Sequence, residues 1–319
     1  MLAGRFARFG DPSVLTVQEV PDPPLPTGDR VLVQVEASSV NGTDLGLRRG
    51  DLKVATVGRM PFTPGFDLAG TVLSCGPAVT AFSPGDRVMA LLGHGGGGLA
   101  QRVVLRQGRA ALVPDGCSGI AAAALPLAGL TALQALHGVA GPALRPAARV
   151  LVLGGAGGIG SYAVQLARLA GAHVTATARG SQLSFVVELG ADEVLDHREQ
   201  DVLALGRRWD VVLDTPGRRT LAGARAALTP DGVLVSTRPL TLDLLRARTT
   251  ARFADGPRYG AVMTKARSQD LAHLGSLVQR GLLRVPVDRA FPLAQAADAH
   301  RHAEAGVAGK VVVELPGTS

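Results

Sequence analysis

The chain has 319 residues, 46% of them hydrophobic and 3% aromatic, and carries a formal net charge of +7. That length allows two domains with substantial cores. No apolar run reaches the ~20 residues of a membrane span, and the opening MLAGRFARFG lacks a signal-peptide core, so a cytoplasmic protein without membrane association is expected. The positive charge is almost all arginine in ones and twos, as at Arg48–Arg49, Arg207–Arg208 and Arg218–Arg219. Without a long basic run or an aromatic-interleaved motif it reads as solvated surface, not as a nucleic-acid interface. Cys75 and Cys117 form no paired pattern, and buried free thiols are expected.

The first third reads as β-rich. RVLVQVEASSV (Arg30 to Val40) alternates like a half-buried strand, and DLAGTVLSCG and GDRVMALL follow between Pro/Gly breaks. A helical, alanine-rich segment runs from Ile120 to Val139. Further on, Val150 to Leu153 is a short apolar run suited to a strand buried on both faces. Strand candidates recur at His173–Thr177, Glu193–Leu195, Asp210–Leu213 and Gly232–Ser236, with helical patterns between them, which predicts a parallel doubly wound sheet. The tail, Ala266 to Leu315, has two helices and a closing strand, GKVVVEL. The break in alternation before it predicts a return to the first domain. The expected division is residues 1–118, an inserted dinucleotide-binding domain over 119–264, and 265–319 completing the first.

The segment after Val150 carries the chemistry. Strand, glycine turn, helix and strand form a βαβ unit of ~30 residues. Gly155, Gly157 and Gly160 match the G-x-G-x-x-G spacing, one for a tight turn, one for backbone approach to a pyrophosphate and one for close helix packing. Gly155, Ala156, Gly157, Gly158, Ile159 and Gly160 are therefore candidate cofactor-binding residues, with the helix N-terminus offering free N–H groups. NAD-selective domains place an acid after the second strand. Here that strand ends TATARGSQ, so NADPH is expected, with Arg179 pairing to its 2′-phosphate and Ser181 adding a hydrogen bond. A surface arginine is the plainer alternative for Arg179.

The order of motifs resembles the medium-chain dehydrogenase/reductase superfamily, in its zinc-independent quinone-oxidoreductase branch. The resemblance rests on SVNGTDLGLRRG, PFTPGFDLAGTV, FSPGDRV, LPLAGLTALQAL, VLGGAGGIGSYAVQLARLAGAHV, LGADEVLDHRE, DVVLDTPG and VDRAFPLAQAADAHRHAEAGVAGKVVVEL, and spans nearly the whole chain. It implies a GroES-like β domain built from both chain ends, with a Rossmann doubly wound parallel sheet inserted.

The resemblance also bears on metal. Zinc-dependent relatives use a Cys, the His of a Gly-His-Glu and a further Cys. Asn41, Phe66 and the aliphatics from Leu125 to Ala128 stand in those places, and the four-cysteine structural lobe is missing. No metal is expected. Hydride transfer to an already polarised acceptor then replaces alcohol oxidation as the expected chemistry. By resemblance Asn41 and Thr131 lie beside the nicotinamide and its ribose, and the Asn41 amide is a candidate donor to a developing oxygen. A turn residue is the plainer reading of Asn41, and capping that of Asp44.

By resemblance His197 stands where relatives carry a phosphate-proximal tyrosine, and Thr215 joins the cofactor set. Pro257 to Thr264 is implied to be an edge strand that pairs with a second copy, giving a homodimer. Val262, Met263 and Thr264 are then implied to lie near the nicotinamide. No tyrosine follows RRG, so solvent is the expected proton source, with His94 a candidate substitute. His137 and His173 read as packing residues. Three functions stay open: a quinone or enone reductase, an enoyl reductase on carrier- or CoA-bound thioesters, and a non-catalytic NADPH-binding protein.

Overall fold

The computed structural model describes residues 1–53, 58–238 and 256–317. The chain forms two compact units, Met1–Ala128 with Lys265–Ser319, and Gly129–Thr264.

The first unit begins with the hairpin of β1 (Leu2–Arg5) and β2 (Thr16–Glu19). The long strand β3 (Arg30–Val40) follows, then α1 (Gly42–Arg49), β4 (Asp67–Cys75), β5 (Arg87–Leu91), β6 (Arg102–Arg106) and β7 (Ala110–Leu112). Along β3 the expected alternation holds at first, with Val31, Val33 and Val35 buried and their neighbours less so. From Ala37 onward both faces are covered, and two serines, Ser38 and Ser39, are carried into the interior. Buried hydroxyls need partners, and these two find theirs on Asp67: Ser38 Oγ donates to its carbonyl at 2.6 Å and Ser39 Oγ to its carboxylate. The alternating segment thus supplies core, and its end supplies polar anchorage.

The helical segment expected from Ile120 to Val139 is interrupted. α2 (Gly119–Ala124) stops before Pro126, which opens α3 (Pro126–Leu133), and a π-helical turn covers Gln134–Ala140. Proline lacks the N–H needed to continue a helix but suits a first helical position. α2, at the start of the segment assigned above to the dinucleotide domain, packs on β3 and β4.

The second unit carries a six-stranded parallel sheet. Its strands are β8 (Arg149–Leu153), β9 (His173–Ala178), β10 (Glu193–Asp196), β11 (Trp209–Asp214), β12 (Leu228–Ser236) and β13 (Arg258–Ala261), in the order β10-β9-β8-β11-β12-β13. The reversal of order at β8 is that of a doubly wound sheet. The main helices are α4 (Gly158–Leu169), after β8, α5 (Leu183–Glu188), after β9, and the short α6 (Leu221–Ala224). The two strands at the centre, β8 and β11, are apolar on both faces; Val150, Leu151, Val152, Val211, Val212 and Leu213 are all fully buried. β13 is shorter than the expected Pro257–Thr264 strand, although Val262 N–H still donates to Ser236 O at 2.9 Å.

Returning to the first unit, the chain adds α7 (Ser268–Gln279), β14 (Val287–Pro292), α8 (Ala296–Glu304) and β15 (Lys310–Glu314). β15 pairs antiparallel with β3, completing a seven-stranded mixed sheet ordered β14-β15-β3-β4-β5-β7, with β6 also on β3. The buried Arg48 of α1 reaches Gly10 O and the Glu304 carboxylate at the end of α8, fastening the two chain ends. Cys75 and Cys117 are free, as expected, but half-buried instead of buried.

Candidate functional site

The glycine turn after β8 has a division of labour that differs from the expected one. Gly154, not Gly155, takes the left-handed backbone with φ 76°, a conformation that costs glycine little and other residues more. Gly155 is needed for close packing, since a Cβ there would lie 2.9 Å from the Ala176 side chain. Gly160 behaves as predicted: its Cβ would fall 2.1 Å from Gly154 O, so α4 can approach the turn only without a side chain. Gly157 is different. A Cβ there would meet only Gly154 O, at 3.4 Å, so the space above it is open.

Ala156 is buried, while Gly157, Gly158 and Ile159 are partly exposed around the start of α4. Their N–H groups occupy a helix N-terminal turn, where no intrahelical acceptor exists. Thr215, at the end of β11, leans over the turn and donates from its Oγ1 to Leu153 O at 2.7 Å. An open cradle of N–H groups at a helix start fits a pyrophosphate.

At the neighbouring strand end, Arg179 and Ser181 follow β9 directly. His197 follows β10: its Nδ1 donates to Ala178 O at 2.8 Å, which leaves Nε2 as the acceptor when the ring is neutral. The sequence reading missed Asp196. Its Oδ1 accepts from Arg198 N–H at 2.9 Å, and its Oδ2 lies 2.9 Å from where a Cβ on Gly180 would stand. An acid therefore reaches this edge from the adjacent strand, not from the end of β9.

Thr131 and Thr264 meet, their hydroxyls 2.7 Å apart. Val262 is buried nearby in sequence, whereas Met263 is 63% exposed. His94 is exposed, and its carbonyl accepts from Arg59 at 3.1 Å.

In the first unit Asn41 belongs to a buried polar cluster. Its Nδ2 donates to Asp67 Oδ2 at 2.9 Å and to Ser39 O at 3.1 Å. Its Oδ1 accepts from the Lys310 ammonium, which also donates to Val40 O at 3.2 Å. Asp67 Oδ1 accepts from Leu127 N–H, in the first turn of α3, at 2.7 Å. Asp44 caps α1, as its position suggested, taking Asn41 N–H at 2.9 Å and Gly65 N–H at 2.7 Å. Asn41, Asp44, Asp67 and Lys310 are each at most 8% exposed. Phe66, beside them in sequence, is also buried.

Burial dominates the electrostatics. It raises the Asp44 carboxyl from 3.8 to about 7, against the two backbone N–H bonds and Lys310, and Asp67 raises it further. It also raises Asp67, opposed chiefly by Lys310, and pushes Lys310 down, opposed by the two aspartates. Sequence reasoning missed Asp67 and Lys310. The available signal was a lone lysine opening an otherwise apolar strand, GKVVVEL.

Comparison with known proteins decides the family. The Alcohol dehydrogenase GroES-like domain family matches residues 27–115 and the Zinc-binding dehydrogenase family residues 189–313. A chloroplast envelope quinone oxidoreductase homolog of Arabidopsis thaliana is 34% identical over 300 residues, 91% of each chain. The chain belongs to the medium-chain dehydrogenase/reductase superfamily. The solved quinone oxidoreductase of Coxiella burnetii matches with a TM-score of 0.90 and 31% identity over 99% of each chain. A mitochondrial NAD(P)H oxidoreductase of Bos taurus is 29% identical, over 97% of this chain and 87% of its own.

The protein is thus an NAD(P)H-dependent oxidoreductase of the quinone-oxidoreductase-like branch. Among the described residues no group of three or more His, Cys, Asp or Glu could hold a metal ion, and no helix is long and apolar enough to cross a membrane. The expectation of a cytoplasmic protein is corrected. The relatives from Arabidopsis thaliana and Bos taurus are proteins of the chloroplast envelope and of mitochondria, and the lack of an apolar leader core says nothing against an organelle, because organelle transit peptides are not built on one.

Two outcomes test this geometry. Gly160→Ala forces a side chain against backbone and is expected to cost about 1–3 kcal/mol in urea unfolding. Gly157→Ala is expected to unfold within about 0.5 kcal/mol of the parent while raising the KM for the nicotinamide cofactor.

A further outcome concerns pH. Asp44 holds its proton in the folded state up to about 7, while in the unfolded chain it ionises near its ordinary value. Between those values the folded state binds more protons, so the free energy of unfolding falls as pH rises from about 4 to about 7. Urea denaturation across that range should show a shallower decline for Asp44→Asn. An unchanged slope would remove Asp44 as its source.

Proposed function

We propose that this chain is an NADPH-dependent reductase of quinones and conjugated enones. Bound NADPH supplies a hydride; the chain's own residues bind, orient and polarise. The observation that carries the reading is the Asn41 cluster. Where zinc-dependent relatives are expected to hold metal ligands, this chain has an amide in a buried hydrogen-bonded network and an apolar Phe66. Such a site offers hydrogen bonding in place of a Lewis acid, which suits an acceptor whose conjugation already polarises it.

Both Asn41 donors are engaged inside the unit. We assign the developing oxygen to the longer arm, the one donating to Ser39 O at 3.1 Å. We assign Thr131, with its hydroxyl partner Thr264, to the nicotinamide ribose, and Val262 and Met263 to the same neighbourhood. Since His94 is exposed, water is assigned as the proton source.

For the cofactor, Arg179 and Ser181 at the end of β9 and the ring of His197 beside Ala178 support a 2′-phosphate pocket. Asp196 Oδ1 accepts from the Arg198 N–H at 2.9 Å, one strand away from Arg179 and Ser181. Steady-state kinetics with NADPH and NADH against quinones, enones and enoyl thioesters test the whole reading. NADPH with a quinone or enone is expected to give the highest kcat/KM, unaffected by chelators, and Arg179→Ala is expected to raise the NADPH KM about tenfold, the loss of one charge-assisted contact. Preference for an enoyl thioester, or no NADPH oxidation with any acceptor, would replace the reading with a biosynthetic enoyl reductase or a cofactor-binding protein respectively.

The assembly we propose is a homodimer. β13 is the edge of the parallel sheet, and an uncovered edge invites pairing. Light scattering at micromolar concentration is expected to give twice the chain mass; a monomer would sink the proposal.

A further inference from the structure

Lys310 opens β15, where a long cationic side chain would ordinarily extend along the surface toward water. Here it is 3% exposed and turns inward. Its ammonium donates to Asn41 Oδ1 and Val40 O and lies 3.8 Å from Asp67 Oδ2. The same Asp67 carboxylate accepts from Ser39, Asn41 and Leu127. The Asn41 amide is thus held at both ends, its oxygen by a cation and its nitrogen by an anion. Turning the amide over would set NH₂ against the ammonium and C=O against the carboxylate, so only one orientation is satisfied. Through Leu127 N–H, the carboxylate also seats the first turn of α3, the helix on which Thr131 lies one turn further along.

We propose that Lys310 and Asp67 are a positioning pair for the reduction, fixing the Asn41 amide and the start of α3. The proposal rests on the reading of Asn41 and Thr131 as residues of the reacting site. Neither Lys310 nor Asp67 is assigned contact with substrate. Of the titratable groups, Asp67 and Asp44 act on Lys310, Lys310 acts on Asp67, and Asp67 and Lys310 act on Asp44.

A pair kept only for charge compensation can be replaced as a pair, because two neutral residues of similar size leave no uncompensated charge. A positioning pair cannot. The test therefore compares Lys310→Met, Asp67→Asn with Lys310→Met, and Asn41→Ala in the full chain, using NADPH and a naphthoquinone. Lys310→Met is expected to melt lower and turn over more slowly. The double variant is expected to recover most of the melting temperature, yet to keep kcat depressed about 10- to 100-fold, less than the about 100- to 1000-fold for losing such a donor outright because the amide is still present. The NADPH KM should stay within about twofold of the parent, as for an interaction made in the transition state. The primary isotope effect with 4-deuterated NADPH should rise as hydride transfer becomes limiting. If Lys310→Met fails to fold, the double variant carries the comparison.

A double variant with parental kcat overturns the positioning role while Asn41→Ala, if slow, keeps the site reading. If Asn41→Ala turns over at the parental rate, the site reading fails and the inference falls with it.

Discussion

The carboxylate of Asp67 is the constraint on which the first unit's polar interior depends. It is fully buried, and an ionised carboxylate without partners in such a place is strongly disfavoured. Four groups converge on it from separate parts of the chain: the Ser39 hydroxyl and Asn41 amide from the end of β3, the Leu127 N–H from α3, and the Lys310 ammonium from β15. Each would be costly to bury alone. Together they convert four desolvation penalties into one satisfied network, and partial satisfaction would be worse than none. The register of β15 on β3 follows this requirement, because it is the Val311–Val40 pairing that brings Lys310 beside Asn41.

Much of this architecture is legible in the sequence because its signals are local. The alternation in β3, the apolar run of β8 and the glycine cluster before α4 each lie within a dozen residues, and their periodicity carries the physics directly. Pro126 is an equally local signal for ending α2, masked by the helix-favouring alanine-rich run around it. The role of Gly154 was harder to see. Three spaced glycines fit a fingerprint, but the left-handed one is Gly154, just outside that spacing, where a Cβ would meet Thr215 Oγ1 at 2.8 Å.

The Asn41 cluster shows where local signals end. Asn41 and Lys310 are 269 residues apart, and neither has neighbours that announce the other. A capping role for Asp44 could be read from its place three residues into α1, because a cap is a local bond. Asp67 could not be read in the same way, since all its side-chain partners are remote in sequence. Asp196 escaped for the related reason that the acid at the β9 edge is supplied by the next strand in the sheet.

The charge balance of the cluster explains which of its members titrates. With Lys310 charged and Asp67 ionised the pair is neutral, and an ionised Asp44 would leave one net negative charge in a medium that screens little. Its two backbone N–H bonds favour the ionised form, but burial outweighs them, and Asp67 adds repulsion. Asp44 is therefore the group on which the surplus falls, with its proton held to about 7. Its bonds join Asn41 N–H, at the start of α1, to Gly65 N–H, in the turn before Asp67. Loss of that proton adds charge to a clasp between the two segments that bring Asn41 and Asp67 together. The amide's orientation is set by Lys310 and Asp67, while Asp44 holds the backbone N–H of the same Asn41.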